Sequence, residues 1–127
     1  MKYQEITPES VRDLVVQFYA KVREDELLGP VFYQALGEDW GPHLDRLTEF
    51  WSTLVLGTRG FKGNVYGTHM ALSDIQPEHF ERWLAMFEQT AGELFEVVAA
   101  ARFIKMAHQI AASLQIGFFG DVLVTPA

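Results

Sequence analysis

The sequence predicts an all-α fold, and three observations carry that expectation. Apolar residues recur at helical spacing over most of the chain. No segment alternates with period two apart from a short stretch near the C-terminus. Glycine and proline fall between the periodic segments, where they separate one helix from the next. Four substantial helices and two short ones are expected, built as one domain of 127 residues.

Thr7-Pro8-Glu9-Ser10 reads as a helix start, with Thr7 as cap, Pro8 at the first helical position and Glu9 at the positive end of the dipole. Val11, Leu14, Val15, Phe18 and Val22 follow as one stripe to about Arg23, with Tyr19 at its edge. Gly29-Pro30 interrupts the chain, and a short helix with Val31, Phe32 and Leu36 ends at Gly37. The next helix is expected from near Asp39 to about Leu56, with Trp40, Leu44, Leu47, Trp51 and Leu54 on its apolar side and His43 on the same side. Residues 57–67 read as a glycine-rich loop. A short helical segment carrying His69 follows. Ser73-Asp74 offers a cap and Pro77 an early position for a helix with Phe80, Trp83, Leu84, Phe87, Ala91 and Leu94. The last helix carries Val97, Val98, Ala101, Ile104, Ala107, Ile110, Ala111 and Leu114, with Gly117 as a stop. Residues 1–6 and 117–127 are expected to be terminal extensions.

Composition narrows the chemistry. Hydrophobic residues make up 49% of the chain, enough for one core. The absence of cysteine removes disulfides, thiolate catalysis and iron–sulfur clusters. A net charge of −7 argues against a nucleic-acid partner. The N-terminus shows no signal-peptide core, and no apolar run reaches the roughly 20 residues of a membrane span. A cytoplasmic protein is therefore expected. Ten Phe, four Tyr and three Trp are enough to wall an apolar pocket for a planar ligand, although they also serve simply as core.

Four histidines are candidates for chemistry. His79, beside Glu78 in a first helical turn, reads as exposed, and His108 receives no role. His43 and His69 both lie among apolar and aromatic residues, where a satisfied core histidine and a metal ligand are both open readings. Zinc catalysis needs three protein ligands, and His-Glu-x-x-His spacing is absent. Di-iron bundles need Glu-x-x-His pairs, and no Glu stands three residues before a histidine. Neither a nucleophile elbow nor a phosphate loop is present. A haem site asks for less: one imidazole, apolar walls, a cation for the propionates and polar donors on the open side. The sequence can provide all four.

Here a resemblance becomes specific. Phe18-Tyr19, Leu28-Gly29-Pro30-Val31-Phe32, His43, Phe50-Trp51, Leu56-Gly57, His69-Met70-Ala71-Leu72 and His79-Phe80-Glu81-Arg82-Trp83-Leu84, continuing to Phe87, resemble the truncated haemoglobins, most closely group III. The resemblance runs from about residue 5 to 116. The Gly-Gly pairs of groups I and II are missing, as they are in group III. It implies a shortened globin, two helices over two around haem b, with His69 as proximal iron ligand. It implies Phe32, Leu47, Phe50, Trp51, Leu72 and Ile75 as haem contacts and Arg46 as a propionate partner. It places Tyr19, His43 and Trp83 at the distal positions, where they would stabilise bound dioxygen, nitric oxide or carbon monoxide. Three donors suit redox chemistry, such as nitric oxide dioxygenation or peroxide handling with an external reductase, better than simple oxygen transport. A ligand sensor or oxygen store without turnover is the alternative. A monomer or weak dimer is expected.

Overall fold

The structure, a computed structural model, describes residues 2–59, 69, 72 and 74–124. Among them are five helices: α1 (Pro8–Glu24), α2 (Leu28–Leu36), α3 (Gly41–Leu56), α4 (Pro77–Leu94) and α5 (Val97–Phe119). They form two pairs, α1 with α3 and α4 with α5, joined where α1 packs on α4 and α3 on α5. The short α2 lies across α1 and also reaches α4.

Helix α1 starts as its sequence demands. Ser10 N–H donates to Thr7 Oγ1 at 3.1 Å and Thr7 N–H donates to Ser10 Oγ at 2.8 Å, a reciprocal cap that satisfies two otherwise orphan donors. The buried face of α1 is the predicted stripe plus Ser10 and Tyr19. Helix α2 begins earlier than expected. Gly29-Pro30 does not interrupt it but sits in its first turn, where a missing proline N–H costs nothing.

The cause is Asp25. Its Oδ2 accepts from Leu27 N–H at 3.1 Å and Leu28 N–H at 2.9 Å. Its Oδ1 takes Arg82 Nε at 2.8 Å and Nη2 at 2.7 Å, so one side chain caps α2 and ties the α1–α2 corner to α4. The Asp25 side chain is 4% exposed. Burial alone would raise its pKa, but the Leu28 N–H, the Arg82 guanidinium and the Leu27 N–H outweigh burial and hold it below the ordinary carboxylate value. The folded pKa is depressed, so this stabilisation is present above the unfolded-state value and disappears as pH falls through the folded one. Asp25→Ala removes the cap and the ion pair together. We expect a loss of about 2–3 kcal/mol, read as a drop in Tm of roughly 5–10 °C at neutral pH that shrinks in acid.

At the same corner the backbones touch. A Cβ on Gly29 would lie 2.8 Å from the Arg23 carbonyl oxygen, so only glycine permits this crossing.

The core is aromatic. Phe87 meets Phe18 edge-on at 5.1 Å and stacks with Trp51 at 4.9 Å and Trp83 at 5.4 Å, which joins α1, α3 and α4 through one ring. Ala99, Ala100, Ala107 and Ala111 are the buried small residues of α5. Arg102 Nη2 donates to the Val55 carbonyl at 2.7 Å and ties α5 to the end of α3.

Both ends of the chain are docked. Tyr3 N–H donates to the Leu94 carbonyl and Glu96 N–H to the Tyr3 carbonyl, each at 2.8 Å, at the two-residue α4–α5 connection. Helix α5 runs past Gly117 to Phe119 and ends at Gly120, whose φ of 77° allows the turn back. Buried Gln115 then accepts from Leu123 N–H at 3.0 Å and Val124 N–H at 2.8 Å, and donates to the Val124 carbonyl at 3.1 Å. Gly117 fails as a stop because Leu114, Gln115 and Phe118 all find packing on either side of it.

The glycine-rich loop lies outside the described residues from 60 onward. So does most of the short segment around His69, though His69 itself is helical. Among the described residues no helix is long and apolar enough to cross a membrane.

Candidate functional site

The four helices around α2 leave one apolar cavity of about 260 Å³. Tyr19 of α1 lines it, as do Phe32 of α2 and Trp83 of α4. Helix α3 contributes His43, Arg46, Leu47, Phe50 and Trp51, which fall at i, i+3, i+4, i+7 and i+8 and therefore share one face. His69, Leu72 and Ile75 line it from the segment between α3 and α4. The structure thus brings every residue singled out from the sequence to a single cavity.

It adds others. Leu28, Val31, Ala35 and Leu36 come from α2, and Ile110, Ala111, Leu114 and Phe118 from α5. Ile110, Ala111 and Leu114 belong to the predicted stripe, where nothing distinguishes a pocket wall from packed core, whereas Phe118 lies beyond the expected stop at Gly117. His79 and Phe80 of α4 also line the cavity. His79 is half-buried, against the expectation of an exposed side chain. The adjacent Glu78 suggested water; the better signal was its spacing of four from Trp83, which sets both on one face. Gln76, not Asp74, is the N-cap of α4, with Ser73 outside the described residues, and His79 closes the capping box. Gln76 N–H donates to its Nδ1 at 2.9 Å. Asp74 instead takes a φ of 62°, a left-handed turn ahead of that cap. His108 lies elsewhere, with Nε2 2.8 Å from Glu88 Oε1.

Tyr19 is the most constrained polar group in the wall. It is 5% exposed, and its ring contacts Phe18 at 4.8 Å, Phe32 at 5.8 Å and Trp40 at 6.0 Å. Trp40 is held in turn by the Arg23 guanidinium, 5.1 Å from its ring centre. Burial pushes the Tyr19 pKa up to about 12, against the opposing pull of a hydrogen bond from Trp83. The phenol is therefore neutral across the physiological range. The neutral phenol keeps its proton to donate, and the Trp83 indole lines the same cavity.

Among the described residues, apart from the indole N–H groups of Trp51 and Trp83, the polar side chains lining the cavity are Tyr19, His43, Arg46, His69 and His79. The remainder is hydrocarbon and aromatic. Imidazoles, a guanidinium and wide apolar walls fit a flat macrocycle with an iron centre and carboxylate edges. Among the described residues there is no group of three or more His, Asp or Glu side chains able to hold a bare metal ion.

No family model matches the chain. A curated relative does: the group 3 truncated haemoglobin of Campylobacter jejuni is 33% identical over 118 residues, which cover 91% of this chain and 93% of that protein. The crystal structure of group III truncated haemoglobin from Campylobacter jejuni superposes with a TM-score of 0.87 at 32% identity, covering 91% of this chain and 93% of that one. Identity at this level over nearly the full length of both proteins, together with the shared two-over-two arrangement of helices, means that the chain belongs to the group 3 truncated haemoglobins and is a globin-type haem protein.

Proposed function

We propose that this single-domain chain holds haem b in the apolar cavity with His69 as the iron's protein ligand, and that it reversibly binds dioxygen, nitric oxide and carbon monoxide beside Tyr19, His43 and Trp83. Phe32, Leu47, Phe50, Trp51, Leu72 and Ile75 would contact the macrocycle, and Arg46 would meet one of its carboxylates. When bound, the haem would supply an iron able to take up a diatomic molecule. The observation that carries the reading is the buried, neutral hydroxyl of Tyr19 in the wall of the cavity, with His43 and Trp83 lining the same space.

A ligand that draws negative charge onto its outer atom is the natural acceptor for that proton. A hydrogen bond to a charged group contributes about 1.5–3 kcal/mol, and each 1.4 kcal/mol is about tenfold in retention. His43 is half-buried on α3 at the same cavity and adds a group able to give or take a proton. The apolar remainder excludes water, which keeps these few polar groups effective. Such a site favours tight capture and redox turnover over release on demand.

The reaction proposed is nitric oxide dioxygenation, in which dioxygen and nitric oxide combine to nitrate while the ferrous centre becomes ferric. The electron is returned by an external reductase, since no flavin or nicotinamide motif is present in the sequence. Peroxide handling with His43 as acid–base group is a related use of the same wall. Mixing the oxygenated protein with nitric oxide should give one nitrate per haem and a ferric spectrum. If the mixture keeps its ferrous spectrum, the protein stores or senses its ligand without turnover. A cytoplasmic location supplies reductant and is part of this proposal.

A further inference from the structure

His79 stands between two environments. It lines the apolar cavity and also an adjoining polar groove bounded by Leu27, Pro30, Gln34 and Asp74. Val31, Ala35 and Leu72 line both as well, so His79 is the polar side chain, among the described residues, at the seam between cavity and groove. Its ring is fixed as well. Nδ1 accepts the Gln76 N–H at 2.9 Å, which it can do only without a proton of its own. The neutral ring accordingly carries its proton on Nε2. An imidazole held that way has no lone pair left for iron, but it has an oriented N–H to offer an anion.

We infer that His79 anchors a carboxylate of the planar ligand at this seam, its Nε2–H donating to one carboxylate while Arg46 serves the other. The inference rests on the haem reading above, under which the carboxylate is a propionate. Asp74 on the same groove is exposed, and water and salt screen its opposing charge. Both of His79's nitrogens thus have work: one caps α4 and the other holds the ligand's rim, so ligand seating and the start of α4 are coupled through one ring.

The test follows loss of haem from holoprotein to an excess of a haem-scavenging apoprotein, for haem and for haem dimethyl ester, which lacks free carboxylates. His79→Asn keeps an acceptor near the position of Nδ1 but loses the reach of Nε2. His79→Gln restores an N–H at about that reach, and His79→Met is a second variant without the donor. The Asn and Met variants should release haem about tenfold faster than wild type, the loss of one charge-assisted hydrogen bond, and the Gln variant should stay near wild type. With the dimethyl ester, wild type and Asn variant should release at equal rates. An unchanged rate in both donorless variants, or an excess rate that persists with the ester, overturns the role of His79 while the Soret band of wild type still upholds the haem reading. A wild type that forms no Soret band with added haem overturns both.

Discussion

His69→Gly should abolish or displace the Soret band of the purified protein, and free imidazole added to the variant should restore it. Three histidines line the cavity, so the identity of the iron ligand is a choice among His43, His69 and His79. His79 is committed by the Gln76 N–H to the tautomer that cannot ligate through Nε2. His43 belongs to α3, on the same face as Arg46 and Leu47, where the family resemblance sets the distal wall. His69 is the ligand proposed above, and the expected effect is correspondingly large, because an iron–imidazole bond has no substitute among the described apolar side chains of the cavity. The equivalent changes at His43 and His79 should leave a Soret band in place. An unaltered spectrum in His69→Gly would sink the assignment.

Tyr19→Phe carries the second largest effect. Removing the hydroxyl deletes the proposed donor to the bound ligand, and dissociation of dioxygen should accelerate between about tenfold and a hundredfold, measured by stopped-flow ligand replacement. Alkaline stability tests the burial of the same hydroxyl. The folded pKa of Tyr19 is raised from 10.0 to about 12, so its neutral form stabilises the fold fully below pH 10. That contribution is lost as pH rises from 10 through 12, a span worth about 3 kcal/mol. Denaturant midpoints of wild type should fall across that window by more than those of Tyr19→Phe. Equal slopes would mean the hydroxyl is not buried as described.

Much of this was legible because helices announce themselves. Thr7-Pro8 at the start of α1, Gly37 and Gly57 after α2 and α3, and the 3.6-residue stripes follow from capping and amphipathicity, which are local properties. What local reasoning missed was long-range. The start of α2 is set by Asp25, whose second set of partners is 57 residues away at Arg82. The end of α5 is set by tertiary packing around Gly117, which outweighs the intrinsic cost of a glycine inside a helix. His79 was misplaced because its charged neighbour was read before its register with Trp83. His43 and His69 stand out by their aromatic surroundings, and the other site residues came forward only through resemblance. A stripe of Leu47, Phe50 and Trp51 has the same spacing whether it packs on protein or on a flat ligand, and periodicity cannot tell the two apart.

The aromatic arrangement has one more consequence, for how the molecule is observed. The chain has three tryptophans. Trp51 and Trp83 line the cavity, and Trp40 rests against Tyr19 and Phe32 in its wall. All the indole emission of the protein therefore originates at one place. A fluorescence-detected melting curve records the opening of the pocket and is blind to the two docked termini. Fraying at Tyr3 or at the Gln115 clasp passes unseen by that probe, and amide exchange at Leu123, Val124 and Glu96 is the measurement that sees it.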